Sequence, residues 1–202
     1  MANKTDIYSR IVSFEILHAI LHQGALAHEF FNGESSWNQL STRDRAFVKL
    51  LVMSCVRKYG QLNICINTFL KRPPKSQIRT IITLGAAQLL ILKTEPYAAI
   101  HTSVSLARHL NSSNYTGLIN GVLRTISRSG KKIFDATSPI DNLPDFFRKD
   151  WTMNWGEFSV HQIMQLAQNQ PPLDITLKKD SEYSKLKWSK KLSAKLISKT
   201  SI

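Results

Sequence analysis

The chain has 202 residues, 43% of them hydrophobic, and a formal net charge of +13. That hydrophobic share excludes a disordered chain, and the length supports one good core with part of a second domain attached. A positive field this large for the size narrows the partners to phosphate polyanions or anionic membrane surfaces.

The excess charge is uneven. Residues 1–70 carry a net +2, residues 71–138 +8, residues 139–178 −2 and residues 179–202 +5. A basic region confined to the middle block and the tail argues for a binding face rather than for general solubility. The densest apolar run, residues 81–92, includes Thr83 and Gln88 and is too short to cross a bilayer. The polar start MANKTDIYSR is no secretory leader. A soluble, cytoplasmic protein with no membrane partner is expected.

In chain order, Ile7, Ile11, Phe14, Leu17 and Leu21 recur at intervals of three and four, which predicts an amphipathic helix over residues 5–21, followed by Gly24. Ser41-x-x-Asp44 resembles a capping box and opens a second helix through Phe47, Leu50, Leu51, Ser54 and Cys55. After Gly60 another helix runs through Leu62, Ile66, Phe69 and Leu70 until KRPP (71–74) breaks it. Residues 77–92 are apolar almost all round and predict the central helix of a bundle. Pro96 suits a first helical turn, so residues 97–110 form the next helix, with Ile100, Val104 and Ala107 inward.

No strand pattern occurs before residue 170, so residues 1–135 read as an all-α domain of about six or seven helices with short connections. Residues 136–202 form a linker and the start of a second, α+β domain: Pro139, Pro144, DWTMNWGE (150–157), a short amphipathic stretch around 160–167, and a predicted strand over 174–178. The Lys/Ser-rich tail after residue 178 reads as poorly packed, and no site is attached to it.

The segment NYTGLINGVLRTISRSGKK (114–132) is unusual, because two glycines interrupt a helix-length pattern. At 100° per residue Gly117, Gly121, Arg124 and Arg128 fall on one stripe, while Leu118, Ile119, Val122, Leu123 and Ile126 lie on the other side. The glycines let another backbone approach, either a neighbouring helix or a nucleic-acid strand. Asn120, Arg124 and Arg128 rule out a membrane G-x-x-x-G contact.

GLINGVLR (117–124) resembles the signature near the end of the NusB-like all-helical RNA-binding fold. Weaker matches follow the same order: DRA (44–46) opening a helix, Tyr59 near its end, Arg72-Pro73 as connector, LGAAQLL (84–90) as central helix, and PYAAI (96–100) before Val104 and LAR (106–108). Arg124, where free-standing NusB antitermination factors tend to carry Asp, resembles the NusB-like domain of the bacterial rRNA 5-methylcytosine methyltransferases (the Sun family). LPDFF (143–147), Trp151, WGE (155–157) and QPPLDITL (170–177) look like the linker and first strand of that enzyme's next domain.

The resemblance implies an RNA-binding module, with rRNA as partner. It also implies that methyl transfer, S-adenosylmethionine and the catalytic cysteines lie downstream of this stretch. Cys55 and Cys65 stand in helical patterns outside any Pro-Cys dipeptide, and no glycine-rich strand–turn–helix occurs, so no enzyme activity, cofactor site or catalytic residue is expected here. Both read as core hydrophobes. His18 and His22 are spaced as a helical metal pair, but no Glu or Cys completes a recognised set, and Asp44 reads as a capping residue. The RNA-binding candidates are Lys4, Arg10, Arg43, Arg45, Lys71, Arg72, Lys75, Arg124, Arg128, Lys131 and Lys132. An alternative is a NusB-like module in transcription antitermination and its regulation, pairing with a ribosomal protein; a separately encoded methyltransferase domain is a further candidate partner.

Overall fold

The computed structural model describes residues 4–32, 36–171, 173–176 and 182–195. Ten α-helices run in chain order among these: α1 Lys4–Gln23, α2 Ala27–Asn32, α3 Thr42–Arg57, α4 Tyr59–Thr68, α5 Ser76–Leu90, α6 Pro96–His109, α7 Thr116–Thr125, α8 Lys131–Asp135, α9 Asp145–Ala167 and α10 Glu182–Leu192. The chain divides into two compact units, Met1–Gln168 and Asn169–Ile202. Seven helices precede residue 126, as the all-α reading requires.

The first unit is organised around α5. From Thr80 to Gln88 every residue is buried, and α1, α3, α4, α6 and α7 all pack against this helix. Three of its polar side chains bond along the helix itself, while the buried Gln88 Oε1 has no partner. The Thr80 and Thr83 hydroxyls donate to the carbonyls of Ser76 (3.0 Å) and Arg79 (2.9 Å), and Gln88 Nε2 donates to that of Leu84 (3.3 Å). Gly85 lets α6 and α7 close in, because a Cβ there would press on both methyls of Leu123 and on Ser103 Oγ.

Ser41 caps α3 as expected: its Oγ accepts from the Asp44 amide (3.1 Å) and donates to the Asp44 carboxylate (2.6 Å), while Ser9 of α1 donates to the other carboxylate oxygen (3.0 Å). A second apolar cluster beside α1 and α3 includes Trp37, which sits in a 3-10 turn at Ser36–Gln39. Neither α2 nor this turn is evident from periodicity, since both are shorter than two helical repeats.

Past residue 135 the same unit continues. A 3-10 turn at Pro139–Asn142 locks onto α4 through Gln61, whose amide donates to Asn142 Oδ1 (2.9 Å) and whose Oε1 accepts from Asn142 Nδ2 (2.9 Å). Gly60 makes this possible, because a Cβ there would fall on the Asp141 carbonyl. Helix α9 is interrupted at Gly156 (φ 77°, ψ 154°), a conformation open essentially to glycine alone, and its second half anchors Val160 and Met164 against Ile140.

In the second unit the expected strand over 174–178 falls only partly on described residues. Residues 173–175 have no regular structure, Thr176 is a lone bridge position, and residues 177–181 lie outside those described. The tail forms α10, whose lysine-rich, weakly patterned sequence hides a helix carried by intrinsic propensity. No helix among the described residues is long and apolar enough to cross a membrane.

Two glycines of opposite kind give a stability test. Gly60→Ala forces backbone apart and is expected to destabilise by about 3 kcal/mol. Gly117→Ala meets nothing within 4 Å and should stabilise by about 0.5–1 kcal/mol. Thermal or urea unfolding of both variants measures the pair.

Candidate nucleic-acid interface

The connector between α4 and α5 and the outer face of α7 enclose an open cavity of about 780 Å³. Pro73 and Pro74 hold the connector extended, since neither can donate to a helix, and Lys71, Arg72 and Lys75 stand exposed along its rim. Helix α7 contributes Gly117, Leu118, Gly121, Val122 and Thr125, the i, i+1, i+4, i+5 and i+8 positions of one face. A Cβ on Gly117 or Gly121 would meet nothing within 4 Å. Of the two explanations for these glycines, helix–helix packing finds no support among the described residues. They form part of a cavity wall, and among the described residues no carboxylate lines it.

Leu118 departs from the sequence reading. It is 40% exposed and borders the cavity, because it sits only 100° from Gly117, while Ile119, Val122, Leu123 and Ile126 are buried as expected. The stripe also ends early. Residues Ile126–Gly130 are π-helical, and i→i+5 bonding turns the chain less per residue, so Arg128 trails the line of Gly117, Gly121 and Arg124.

Other candidates are divided. Arg124, Arg128 and Lys132 are exposed, and so is Lys131, which pairs with Asp135 one turn on. Lys131 also borders a smaller cavity of about 200 Å³ with Lys93, a residue absent from the sequence candidates. At the α1–α3 side, Arg43 is exposed on the first turn of α3. Arg10 is half-buried, with its guanidinium 4.3 Å over the Phe47 ring. Arg45 donates to the carbonyls of Leu40 (3.1 Å) and Asn38 (2.9 Å). Both guanidinium groups are thus engaged by the fold. Lys4 opens α1, and its side chain lies outside the described residues. Sequence reasoning missed Tyr115 and Leu118 on the cavity wall; their closeness to the glycine pair was the available signal.

The NusB family matches residues 8–128. That span runs from α1 through the cavity-lining helix. The chain belongs to the NusB family. Among curated relatives it is 27% identical to the ribosomal RNA small subunit methyltransferase B of Xanthomonas campestris, covering 82% of this chain and 38% of that protein. It is 28% identical to a probable ribosomal RNA small subunit methyltransferase B of Synechocystis (85% and 41%) and 26% identical to the Klebsiella pneumoniae enzyme (93% and 44%). The chain thus spans about two fifths of the length of the curated relatives it matches.

In this NusB-family chain both thiols are buried, and the imidazoles of His18 and His22 are engaged by the fold. Burial pushes the Cys55 thiol far up and Cys65 up to about 11, and Cys65 Sγ lies 3.5 Å from the Gly130 carbonyl, to which it donates. His18 Nδ1 and His22 Nε2 both meet the Thr80 hydroxyl, at 3.1 and 3.3 Å, and His18 stacks on Phe14. No cluster of three or more metal-ligating side chains occurs among the described residues.

Burial, and then the neighbouring His22, lower the His18 pKa from 6.5. Below that value the unfolded chain binds more protons than the folded one, so stability is lost as pH falls. The unfolding midpoint is expected to drop between pH 7 and pH 5, and His18→Gln should shrink that drop; a midpoint independent of pH in the variant and wild type alike refutes the assignment.

Proposed function

We propose that this chain is an RNA-binding module equivalent to the non-catalytic N-terminal part of a small-subunit rRNA cytosine-5 methyltransferase. It holds rRNA through the cationic connector and the exposed face of α7. The observation that carries this is the cavity rim, where Lys71, Arg72 and Lys75 project beside α7 with no carboxylate among the described lining residues. Phosphates neutralise such a rim without any chemical step, and the +8 of residues 71–138 supplies the surrounding field.

In this reading Arg124, Arg128, Lys131 and Lys132 extend the contact past the cavity, and Arg43 adds a point at the α1–α3 side. Arg10 and Arg45 serve the fold, and their loss affects RNA binding only through stability. Methyl transfer and its S-adenosylmethionine belong to the remaining three fifths of the relatives' length. The module works in the cytoplasm, where rRNA is made. The antitermination alternative is less favoured, because the similarity to methyltransferases extends well past the NusB match, over 93% of this chain in the Klebsiella case.

Binding to a small-subunit rRNA fragment, followed by anisotropy across a salt series, tests the proposal. The logarithm of the association constant should fall linearly with the logarithm of salt concentration. Replacing Lys71, Arg72, Lys75 and Arg124 together by Gln should reduce that slope by roughly 2 to 3, at about 0.7 per single-strand phosphate contact. Absence of any salt slope in the wild type would sink the proposal.

A further inference from the structure

We propose that the cavity between the α4–α5 connector and α7 receives one unstacked nucleobase of a single-stranded RNA, while the flanking phosphates lie on Lys71, Arg72 and Lys75. This deepens the RNA-binding reading and rests on it.

The volume, about 780 Å³, lies within the range of roughly 300–1,000 Å³ typical of pockets for small organic ligands, which a nucleoside matches in size. The walls suit a flat ring with polar edges: Leu70, Leu118 and Val122 supply apolar surface, Tyr115 an aromatic ring, and Thr125 a hydroxyl. That hydroxyl already donates to the Gly121 carbonyl at 3.0 Å, which leaves its lone pairs as acceptors for a base N–H.

Gly117 and Gly121 are the decisive residues. Each weakens α7 as a helix, and neither is needed for packing, since a Cβ on either would meet nothing within 4 Å. What their missing side chains keep open is the cavity itself. A surface that needed only to attract phosphate has no use for such a hollow, because charge acts at a distance and flat ground serves as well.

The ring that enters must come from a single strand. Bases in an A-form duplex are stacked and their major-groove edges lie too deep for side chains, whereas loops and unpaired segments can splay a base outward. The lining cations all lie on the connector, whereas α7 contributes only uncharged residues, and Leu70 continues the apolar surface on the connector side. An entering nucleotide would thus meet charge at its backbone and apolar surface at its base.

Gly117→Leu and Gly121→Leu each project a side chain into the cavity without threatening the fold, because leucine is a better helix former than glycine and both sites are open. The probes are a fluorescently labelled single-stranded small-subunit rRNA fragment, the same fragment annealed to its complement, and poly-glutamate as competitor. The wild type should prefer the single strand. Each leucine variant should lose about tenfold in single-strand affinity, as stacking of one base is worth at that scale, with the salt slope kept and duplex binding little changed.

Leucine variants that bind the single strand as tightly as wild type, or that lose single strand and duplex equally, overturn the inserted base while a persisting salt slope leaves the RNA-binding reading intact. Poly-glutamate competing as well as RNA would assign the cavity to acidic peptides and also overturn it. A wild type with no salt slope fails the RNA-binding reading itself.

Discussion

The burial of α5 is the constraint on which the rest of the unit depends. A helix with no solvent face over Thr80–Gln88 needs neighbours on every side, and its backbone polar groups are already consumed internally, so what it offers them is mainly packing, beside the contacts of His18 and His22 to Thr80. Gly85 brings Leu123 of α7 and Ser103 of α6 against the α5 backbone. That contact fixes α7 by its apolar face. The opposite face is then presented outward at a set angle and distance from the connector that leads into α5. The connector's cations and α7's glycines meet because both are tied to the same central helix, one through the chain and one through packing.

The glycines show how one residue type serves unlike ends. At Gly60 and Gly85 a Cβ would strike backbone or a core side chain, so the absence of a side chain permits close approach. At Gly24 (φ 71°) and Gly156 (φ 77°) the backbone needs a conformation that side chains disfavour, and the chain turns out of a helix there. At Gly117 and Gly121 neither reason applies: the backbone is helical and the space above is empty. Only the third kind lowers local stability with no structural return among the described residues, and for that reason the proposed site is placed there.

Much of the central bundle was legible in the sequence. The three–four spacing of Ile7 to Leu21, the Ser41–Asp44 cap, the Pro73–Pro74 break and the all-round apolar run after Gln77 each have a local cause, and each reappears in the structure. The glycine–arginine segment was legible as a surface feature but not as a cavity wall, because its partner, the connector, lies more than forty residues earlier. The engagement of Arg10 and Arg45 was hidden for the same reason. A guanidinium over Phe47, or bonded to the Leu40 and Asn38 carbonyls, looks identical in sequence to a free one. Helix α9 was obscured by its own composition: Trp, Met and Phe recur on several faces, and Gly156 interrupts the period.

The division between engaged and exposed cations bears on how such a module can discriminate. Coulombic attraction to phosphate is long in range and indifferent to sequence, so a wholly exposed basic surface would retain any RNA it met. Selectivity requires a term that some RNAs satisfy and others do not. A rigid hollow adjoining the cations is such a term, because a strand must surrender stacking of one base to fill it, and only flexible or unpaired segments do so at small cost. The packing of α7 on α5 sets where the hollow's α7 wall stands. On the proposed reading the free energy of shaping the site is met during folding, and a bound RNA would bear only the cost of rearranging itself.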